Sequence, residues 1–448
     1  MLSRVPGVAL ASVFDRFDLT SRKAVVAAVS GGGDSTALLL LLQDHIRRCR
    51  LSARIVAVTV DHGLRPESSA EARAVGAFCA AHGIAHRTLR WEAEKPATGL
   101  SAAARAARYA LLGQAAEAAG TDLVFTGHTL DDQLETIAMR RARGEGRGLA
   151  GMAPATLYRD SVWILRPLVE TGRETLRDYL RLRDADWIED PSNENLRYER
   201  VRVRRRLAEQ AGADADVTLD DVRTAQAERV ALGERAAGLI DCHLKRASPG
   251  LYRTTREFFE VADQDAALYA FRIVLATIGG GEHLPEARRA TALFAGIRSG
   301  CPRATLSRTL IDARKRHVWL HRERRSLPAP RPAYDGMIWD NRFRVEGAGE
   351  TLKSVLVAPG VSLRGRAAEC DAPASLAAAA LAAQPLLLRQ EAAGPDAVGS
   401  GLPSLMPVVA PFLDFLPSFD IAPARAMAKL IASGSPPAPP LSGHKYAA

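Results

Sequence analysis

The chain has 448 residues, of which 47% are hydrophobic and 25% charged, and its formal net charge at pH 7 is +9. This composition is that of a globular protein and excludes a collagen-like or largely disordered chain. At about 150 residues per domain, the length predicts two to four domains. The basic excess favours an acidic partner, with nucleic acid first, and the alternative is a bias toward arginine codons without such a partner.

Cysteine usage and hydropathy favour a soluble protein of the cytoplasm. The five cysteines are widely spaced, and no CxxC pair indicates a zinc or redox site. Widely spaced thiols of odd number fit a reducing compartment. Residues 1–21 lack the apolar core of a signal peptide, and the apolar run Ala37–Leu42 is too short to cross a bilayer. We therefore expect a cytoplasmic protein with no membrane association.

Residues 1–210 alternate strand and helix patterns in chain order. The predicted strands are Ala24–Val29, Ile55–Val60, His86–Trp91, Leu123–Thr126 and a short segment at Ile164–Leu165. The predicted helices are Ser35–Cys49, Glu67–Ala81, Ser101–Ala119, Asp131–Arg143 and Gly172–Arg183. This alternation predicts the α/β fold class, with an open, mostly parallel sheet and helices on both faces.

The rest of the chain predicts a helical domain followed by a small α+β part. The segment 211–325 continues a helical pattern that runs from Arg204 to Leu293, and then alternates as strands over Ala304–Glu323, with a turn near Ala313–Arg316. A Pro-rich linker is expected at 326–335 and a disordered Pro-rich tail at 433–448. Between them, the small α+β region 336–432 contains predicted strands at Ile338–Val345 and Thr351–Val357.

A glycine-rich segment, Ser30-Gly31-Gly32-Gly33-Asp34-Ser35, lies between the first predicted strand and helix. Three glycines let backbone N–H groups approach an anion, and the following helix adds the positive end of its dipole. The hydroxyls of Ser30 and Ser35 can donate to phosphate oxygens, and Asp34 suits a Mg²⁺ ion bound between carboxylate and phosphate. The segment matches neither a Walker A motif nor the GxGxxG dinucleotide pattern. A glycine-rich turn with Asp34 capping the helix is the alternative.

Ser-Gly-Gly-x-Asp-Ser after a first strand resembles the pyrophosphate loop (PP-loop) of the N-type ATP pyrophosphatases. Further segments in the same order make residues 1–210 similar to one branch of that superfamily, the tRNA(Ile)-lysidine synthases. The segments are Val60–Arg65, Ala104–Tyr109, Gly127–Thr136, Arg143–Gly144, Gly148–Met152, Arg166–Leu168 and Trp187–Asn193. The resemblance implies a Rossmann-like PP-loop ATPase fold for these residues and covers the remaining chain only loosely.

The resemblance also implies a reaction. ATP adenylates the C2 oxygen of the wobble cytidine of an isoleucine tRNA with anticodon CAU, and free L-lysine then displaces AMP to give lysidine. In this interpretation Ser30–Ser35 bind ATP with Mg²⁺ at Asp34, while Asp61 and His62 contact nucleotide or substrate. Residues 211–325 are expected to bind the tRNA. Candidates within this range are the basic side chains of Arg303, Arg308, Arg314, Lys315 and Arg316.

Polar residues at the predicted strand ends supply candidates for the chemistry. His128, Asp131 and Asp132 follow the fourth strand, where open α/β sheets bind ligands, and the two carboxylates could hold a metal, bind the lysine ammonium or deprotonate it. The alternative is that Asp131 caps its helix. Arg105 and Arg108 share a helix face and are candidates for phosphate or base contacts, or belong to a solvated basic stripe.

Other basic residues are candidates for tRNA contact. Arg143 and Gly144 lie in a glycine-rich loop. In this interpretation the turn Asp190–Asn193 faces tRNA or the site entrance, and so does the basic run of Arg200, Arg202, Arg204, Arg205 and Arg206. The related enzymes carry Asn-Phe where this chain has Val201-Arg202, so only Arg204 or Arg206 is carried over from that motif.

Four other functions stay open from the residues themselves. They are a PP-loop enzyme that thiolates a tRNA base, an amidotransferase relative, a non-catalytic RNA-binding relative and an unrelated anion-binding α/β protein. The thiolase would need paired cysteines, and the amidotransferase would need a glutaminase domain before the first strand. A homodimer is also left open.

Overall fold

A computed structural model describes residues 10–144, 149–189, 199–210, 217–347, 352, 355–360, 372–389 and 403–441. The chain forms two compact units, Met1–Arg229 with Ala438–Ala448, and Val230–Pro437. The boundary falls within the long helix Leu219–His243, and the domain boundary predicted at residue 211 stays a prediction. None of the helices in the described ranges has the length and apolarity to span a bilayer.

The first unit contains a mostly parallel sheet. Its strands are β1 (Ala24–Ala28), β2 (Arg54–Asp61), β3 (Ala85–Arg90), β4 (Leu123–Thr126), β5 (Ala155–Tyr158) and β6 (Val162–Leu165). They lie in the order β5-β6-β4-β1-β2-β3, in which only β5 runs antiparallel to its neighbour β6. Strands β1 and β4 are buried throughout, as expected when helices cover both faces of a parallel sheet.

The helices of the first unit are α1 (Gly33–Arg48), α2 (Ser68–Ala81), α3 (Leu100–Ala119), α4 (Leu130–Ala142), α5 (Arg173–Leu182), α6 (Glu199–Gln210) and α7 (Leu219–His243), which continues into the second unit. The predicted strands and helices of residues 1–210 are confirmed with bounds shifted by at most two residues, and so is the α/β fold class. The sequence analysis missed β5, which pairs with β6 as a hairpin.

The order of the strands fixes where a ligand can bind. Strand β1 lies between β4 and β2, and Ala28 at its end is in register with Thr126 at the end of β4. The order of the strands reverses at this point, because β2 lies on one side of β1 and β4 on the other. Such a reversal opens a crevice at the carboxyl ends of β1 and β4. The loops Val29–Gly32 and Gly127–Thr129 therefore face each other at this edge.

The second unit combines helices with three antiparallel sheets. Its helices are α8 (Gln264–Gly279), α9 (Ala287–Arg298), α10 (Ala374–Ala382) and α11 (Ile421–Ile431). Its strands are β7 (Lys245–Ser248), β8 (Leu251–Thr255), β9 (Arg303–Leu306), β10 (Thr309–Ala313), β11 (His317–Arg322), β12 (Arg331–Pro332), β13 (Ile338–Trp339), β14 (Phe343–Glu346), β15 (Val355–Pro359), β16 (Pro385–Arg389), β17 (Ser404–Pro407) and β18 (Phe415–Pro417). The sheets have the orders β7-β8-β11-β10-β9, β12-β15-β16 and β13-β14-β17.

Three sequence predictions fail in the second unit and the tail. The predicted helical run up to Leu293 is interrupted by the β7–β8 hairpin, whose turn uses Gly250 at φ +73°. The predicted linker 326–335 is part of the second unit, because β12 pairs with β15 and Ala333 packs among buried residues. Part of the predicted disordered tail is ordered, since Leu441 forms a β-bridge with Phe17. Proline favours the edge of a sheet as well as linkers, which explains the second error.

A buried ion cluster holds part of the second unit. Asp340, with a side chain 1% exposed, accepts from Arg322 Nε at 3.1 Å and from Arg342 Nε at 2.7 Å. Arg308 is the third partner, with Nη1 at 3.4 Å. Arg322 also donates to the carbonyls of Glu323, Arg325 and Ser326, where the chain turns after β11. A single carboxylate thus balances guanidinium groups that would otherwise be buried without a counter-charge.

Substituting Asp340→Asn should therefore destabilise the second unit by about 3 kcal/mol, the usual effect of removing one partner of a buried ion pair. Asn accepts the positive φ of this position, +51°, so the change isolates the charge. Urea unfolding followed by tryptophan fluorescence measures the loss. Asp335→Asn, at an exposed turn, is the matched control. An unchanged midpoint for Asp340→Asn would mean that the cluster adds nothing to stability.

Candidate active site

The loop between β1 and α1 has the geometry of an anion site. Gly31 adopts φ +87°, and its carbonyl accepts from the Ile188 N–H at 2.9 Å. A Cβ atom at Gly31 would lie 2.7 Å from Ile188 Cδ1, so this position requires glycine. Gly32 is the N-cap of α1, and no described side chain caps this helix. The start of α1, at Gly33 and Asp34, therefore presents its backbone dipole to the loop.

The two serines of the loop bond to each other in this structure. Ser35 Oγ donates to the Gly32 carbonyl at 2.9 Å and accepts from the Ser30 N–H at 3.1 Å. The Ser30 and Ser35 hydroxyls are 3.2 Å apart. Both hydroxyls thus lie on one side of the loop, where they can exchange these bonds for phosphate oxygens.

The loop after β4 approaches the first turn of α1, at the end of the phosphate loop, through Gly127. A Cβ atom there would lie 2.9 Å from the Asp34 carbonyl oxygen and 3.1 Å from Ser35 Cα. Backbone atoms cannot move away as a flexible side chain would, so Gly127 sets the distance between the two loops. The sequence motif contained this glycine, but nothing in it showed which segment Gly127 approaches.

Four carboxylates converge on one guanidinium group, that of Arg173 at the start of α5. Its Nε donates to Asp34 Oδ2 at 3.1 Å. Its Nη atoms lie 3.6 Å from Asp132 Oδ1 and 3.9 Å from both Asp131 Oδ1 and Glu135 Oε1. We call Asp34, Asp131, Asp132 and Glu135 the acid cluster. Burial raises the pKa of Asp34, and the charge of Arg173 opposes this rise.

Asp131 and Asp132 have one oxygen each in a structural role. The N-cap of α4 is Thr129, whose N–H donates to Asp132 Oδ2 at 2.9 Å in a capping box. Asp131 Oδ2 accepts from the backbone N–H of Arg173 at 2.7 Å. The predicted alternative of Asp131 as the N-cap of α4 is therefore wrong. In both residues the second oxygen, Oδ1, faces the Arg173 guanidinium.

Helix α6 closes the acid cluster on another side. Glu135, with a side chain 2% exposed, accepts from Arg200 Nε at 2.8 Å and from Arg204 Nε at 2.6 Å. The structure therefore brings Arg204 into the site, whereas Arg206 lies exposed on the same helix. Glu135 is not among the predicted site residues, and Arg200 was predicted only as part of a basic run at the tRNA or the site entrance. Glu135 is one helical turn beyond Asp131, a spacing that was a usable signal.

Basic residues gather around the ends of β2 and β4. We call His62, His128, Arg105, Arg108 and Arg166 the basic group. His128 Nδ1 is 2.9 Å from the Thr126 hydroxyl. Burial lowers the pKa of His128 well below its usual value, and the charges of Arg166, Arg108 and Arg105 add to this effect. His128 is therefore neutral at pH 7, able to donate from one ring nitrogen and accept at the other.

His62 and Asp61, after β2, belong to the same edge. Burial lowers the pKa of His62, with the Arg108 charge as the second cause, so Arg108 acts electrostatically on both histidines. Asp61 shapes its own turn, accepting from the Gly63 N–H at 2.8 Å and the Ser69 hydroxyl at 3.1 Å. The predicted residues of three strand ends thus lie near one another.

Arg105 and Arg166 differ in their exposure within the basic group. Arg105 is exposed on α3 and lies over the Tyr109 ring, 4.9 Å from its centroid. Arg166 is buried and donates to the Ala153 carbonyl at 2.9 Å and the Thr156 hydroxyl at 2.8 Å. Sequence reasoning gave Arg166 no role, although it quoted its motif.

The residues suggested for tRNA contact have different surroundings. Arg143 is about half exposed and donates to Glu199 at 2.8 Å, and Gly144 beside it has φ +74°. Arg308 lies 3.4 Å from Asp340 and stays partly exposed, so its contact with tRNA stays a prediction. Arg303, Lys315 and Arg316 are exposed. Asp190–Asn193 lie outside the described residues.

The described residues contain no group of three or more histidine, cysteine or acidic side chains arranged to hold a metal ion. Mg²⁺ needs no such cage, because it is often held by one or two carboxylates together with phosphate oxygens and water. Asp34, at the helix start beside the loop, suits that kind of site.

Comparisons with known proteins agree with this geometry. Residues 9–211 match the family described as a PP-loop domain. The tRNA(Ile)-lysidine synthase of Mesorhizobium japonicum is 48% identical over 444 residues, covering 96% of this chain and 97% of that protein. The enzyme of the same name from Rhizobium meliloti is 40% identical, covering 86% of each chain.

A solved structure, the U34-tRNA thiolase NcsA from Methanococcus maripaludis, covers 50% of this chain and 78% of its own at 16% identity. Its TM-score of 0.43 is too low to carry an argument. The relatives matched along almost their whole length decide the assignment: the chain belongs to the tRNA(Ile)-lysidine synthase family.

Proposed function

We propose that this chain ligates free L-lysine to C2 of the wobble cytidine of tRNA(Ile) with anticodon CAU, using ATP and giving lysidine, AMP and pyrophosphate. One observation carries the proposal beyond the family assignment. The phosphate loop and the acid cluster meet at Asp34, so an activated phosphate and an amine can be bound side by side. The alternatives of base thiolation and of a non-catalytic RNA-binding protein are not favoured by the relatives.

The first step needs an anion site and charge stabilisation. ATP phosphates bind at Ser30–Ser35, through backbone N–H groups, the two hydroxyls and the dipole of α1. Mg²⁺, when held by Asp34, would neutralise charge on the phosphate oxygens. The cytosine C2 oxygen forms a bond to the α-phosphorus while the bond from that phosphorus to the bridging oxygen breaks, and pyrophosphate leaves.

The basic group suits the adenylated base. Arg105 and Arg108 stabilise negative charge that develops on the α-phosphate or the base. His128 is neutral and has hydrogen-bonding capacity at the end of β4. Asp61 and His62 support the same edge, and their direct contact with the nucleotide stays a prediction.

The second step needs a neutral amine. The ammonium group of lysine binds to the acid cluster and loses a proton to a carboxylate, for which Asp132 is our first choice and Asp131 the second. The nitrogen then forms a bond to C2, the bond between C2 and the oxygen breaks, and AMP leaves. Because the oxygens Oδ1 of both aspartates face the same guanidinium, either can reach a bound amine.

Basic surfaces outside the centre suit the tRNA backbone. Arg143, Gly144 and Arg206 are proposed to contact it, while Arg204 acts mainly through Glu135. A tRNA-binding role of the second unit, a homodimer and a cytoplasmic location stay predictions. Such contacts would recognise phosphates and shape.

The direct test is lysine incorporation. Purified protein, Mg-ATP and radiolabelled lysine are incubated with tRNA(Ile) bearing anticodon CAU, and label in the tRNA is counted. We expect incorporation with this tRNA and none when the wobble cytidine is replaced by uridine. Absence of label in the tRNA, in an assay where a control enzyme is active, would refute the proposal.

Asp34→Asn should remove the carboxylate from the phosphate loop while leaving its shape. We expect pyrophosphate release to fall by about 100-fold or more, the scale of losing one preorganised electrostatic group, with tRNA binding within twofold of normal. Asp44→Asn, on the same helix but paired with Arg183 at 3.0 Å, is the control. Persistent adenylation in Asp34→Asn would refute the role given to Asp34.

Gly127→Ala should push the β4 loop against the phosphate loop, because its new Cβ atom meets backbone atoms of Asp34 and Ser35. A displacement of this kind can lower kcat/KM for ATP by about 100-fold. Gly113→Ala is the control, since its Cβ atom would make only ordinary contact with Tyr158, at 3.5 Å. Equal kinetics for the two variants would show that the loop spacing does not matter.

A further inference from the structure

Arg173 holds the centre of the acid cluster less tightly than the other guanidinium groups around it. Arg200 and Arg204 donate to Glu135 at 2.8 and 2.6 Å. Among the described residues, the Arg173 side chain donates a hydrogen bond of 3.1 Å to Asp34, and its other carboxylate contacts are at 3.6–3.9 Å. These longer distances are those of charge attraction without a hydrogen bond.

The side chain of Arg173 can leave without disturbing its own backbone. The residue is the first of α5, and its backbone N–H donates to Asp131 at 2.7 Å independently of the side chain. The side chain retains 17% exposure, so it has an outlet to solvent. Arg173 thus combines a fixed backbone with a guanidinium group that can turn aside.

The charges around Arg173 indicate what its movement would allow to bind. Four carboxylates face the three guanidinium groups of Arg173, Arg200 and Arg204, an excess of one negative charge. When Arg173 turns away, the excess becomes two, and the space between Asp34, Asp131 and Asp132 suits a single small cation. Arg200 and Arg204 still hold Glu135 in place.

We infer that Arg173 is a built-in cation that occupies the position of the lysine ammonium group and is displaced when lysine binds. This inference rests on the proposed function. The displaced guanidinium starts 3.1 Å from Asp34 in the phosphate loop, so the nearest new partner for it is the anion bound there. Arg173 is a positioning residue: it keeps the carboxylates together and sets the affinity for lysine by competing with it.

The test is equilibrium binding of L-lysine, measured by calorimetry without ATP or tRNA. Two neutral variants are compared with the unaltered enzyme: Arg173→Gln, which can still donate to Asp34, and Arg173→Met, which keeps only the length. Each should bind lysine about tenfold more tightly, equivalent to ~1.4 kcal/mol, because the competing charge is gone. The same variants should show a lower KM for lysine with a reduced kcat.

Two further variants separate charge from structure. Arg173→Lys keeps a cation and should retain the unaltered affinity. Arg177→Gln changes an arginine one turn along α5, 38% exposed and 3.7 Å from Glu174, and should change nothing. A general defect of folding would weaken binding, so a gain in affinity excludes a folding defect as the cause.

Unchanged or weaker lysine binding in the folded neutral variants would overturn the inference. A gain for MgCl₂ alone, titrated in place of lysine, would overturn it too, since the position would then belong to a metal ion. Lysine incorporation by the unaltered enzyme is scored separately. The binding titration contains neither ATP nor tRNA, so the proposed function and this inference fail by different measurements.

Discussion

The pairing of four carboxylates with three guanidinium groups is the interaction on which the site depends. It joins the starts of α1, α4 and α5 to the helix α6, four segments that are far apart in the chain. Like charges this close would repel one another if they were alone, so the acid cluster exists only because the arginines are there. The arrangement keeps negative charge next to a loop built to bind anions, a combination that would be unfavourable without these cations.

The parallel sheet makes this pairing possible. Because β1 and β4 are neighbours in register, the loop that binds phosphate and the helix that carries Asp131, Asp132 and Glu135 begin at the same edge. Gly127 lets the two loops approach to backbone contact. The second unit also pairs a carboxylate with arginines, but there the pairing stabilises the fold. Asp340 and Arg322 are buried, whereas the acid cluster stays partly open to solvent.

Local sequence patterns predicted most strands and helices of residues 1–210 and a part of the site. The phosphate loop, His128, Asp131 and Asp132 could be found because strand ends and glycine-rich turns are local signals. Arg173 could not, because its partner Asp34 is 139 positions away and nothing near Arg173 distinguishes it from a surface arginine. The ion pair of Arg308 with Asp340 is likewise invisible in the sequence, because the two residues lie 32 positions apart. The β7–β8 hairpin was missed in an Ala- and Arg-rich region, although Pro249-Gly250 signals a turn.

We expect ATP to be cleaved at this edge between its α and β phosphates, which activates a tRNA base before lysine reacts. Product analysis in a single turnover tests it most directly, with enzyme, tRNA(Ile) and ATP labelled at the α-phosphate, first without lysine and then with it. We expect pyrophosphate release and label attached to tRNA before lysine is added, and free AMP afterwards. Formation of ADP and phosphate, or release of AMP without any tRNA present, would contradict it.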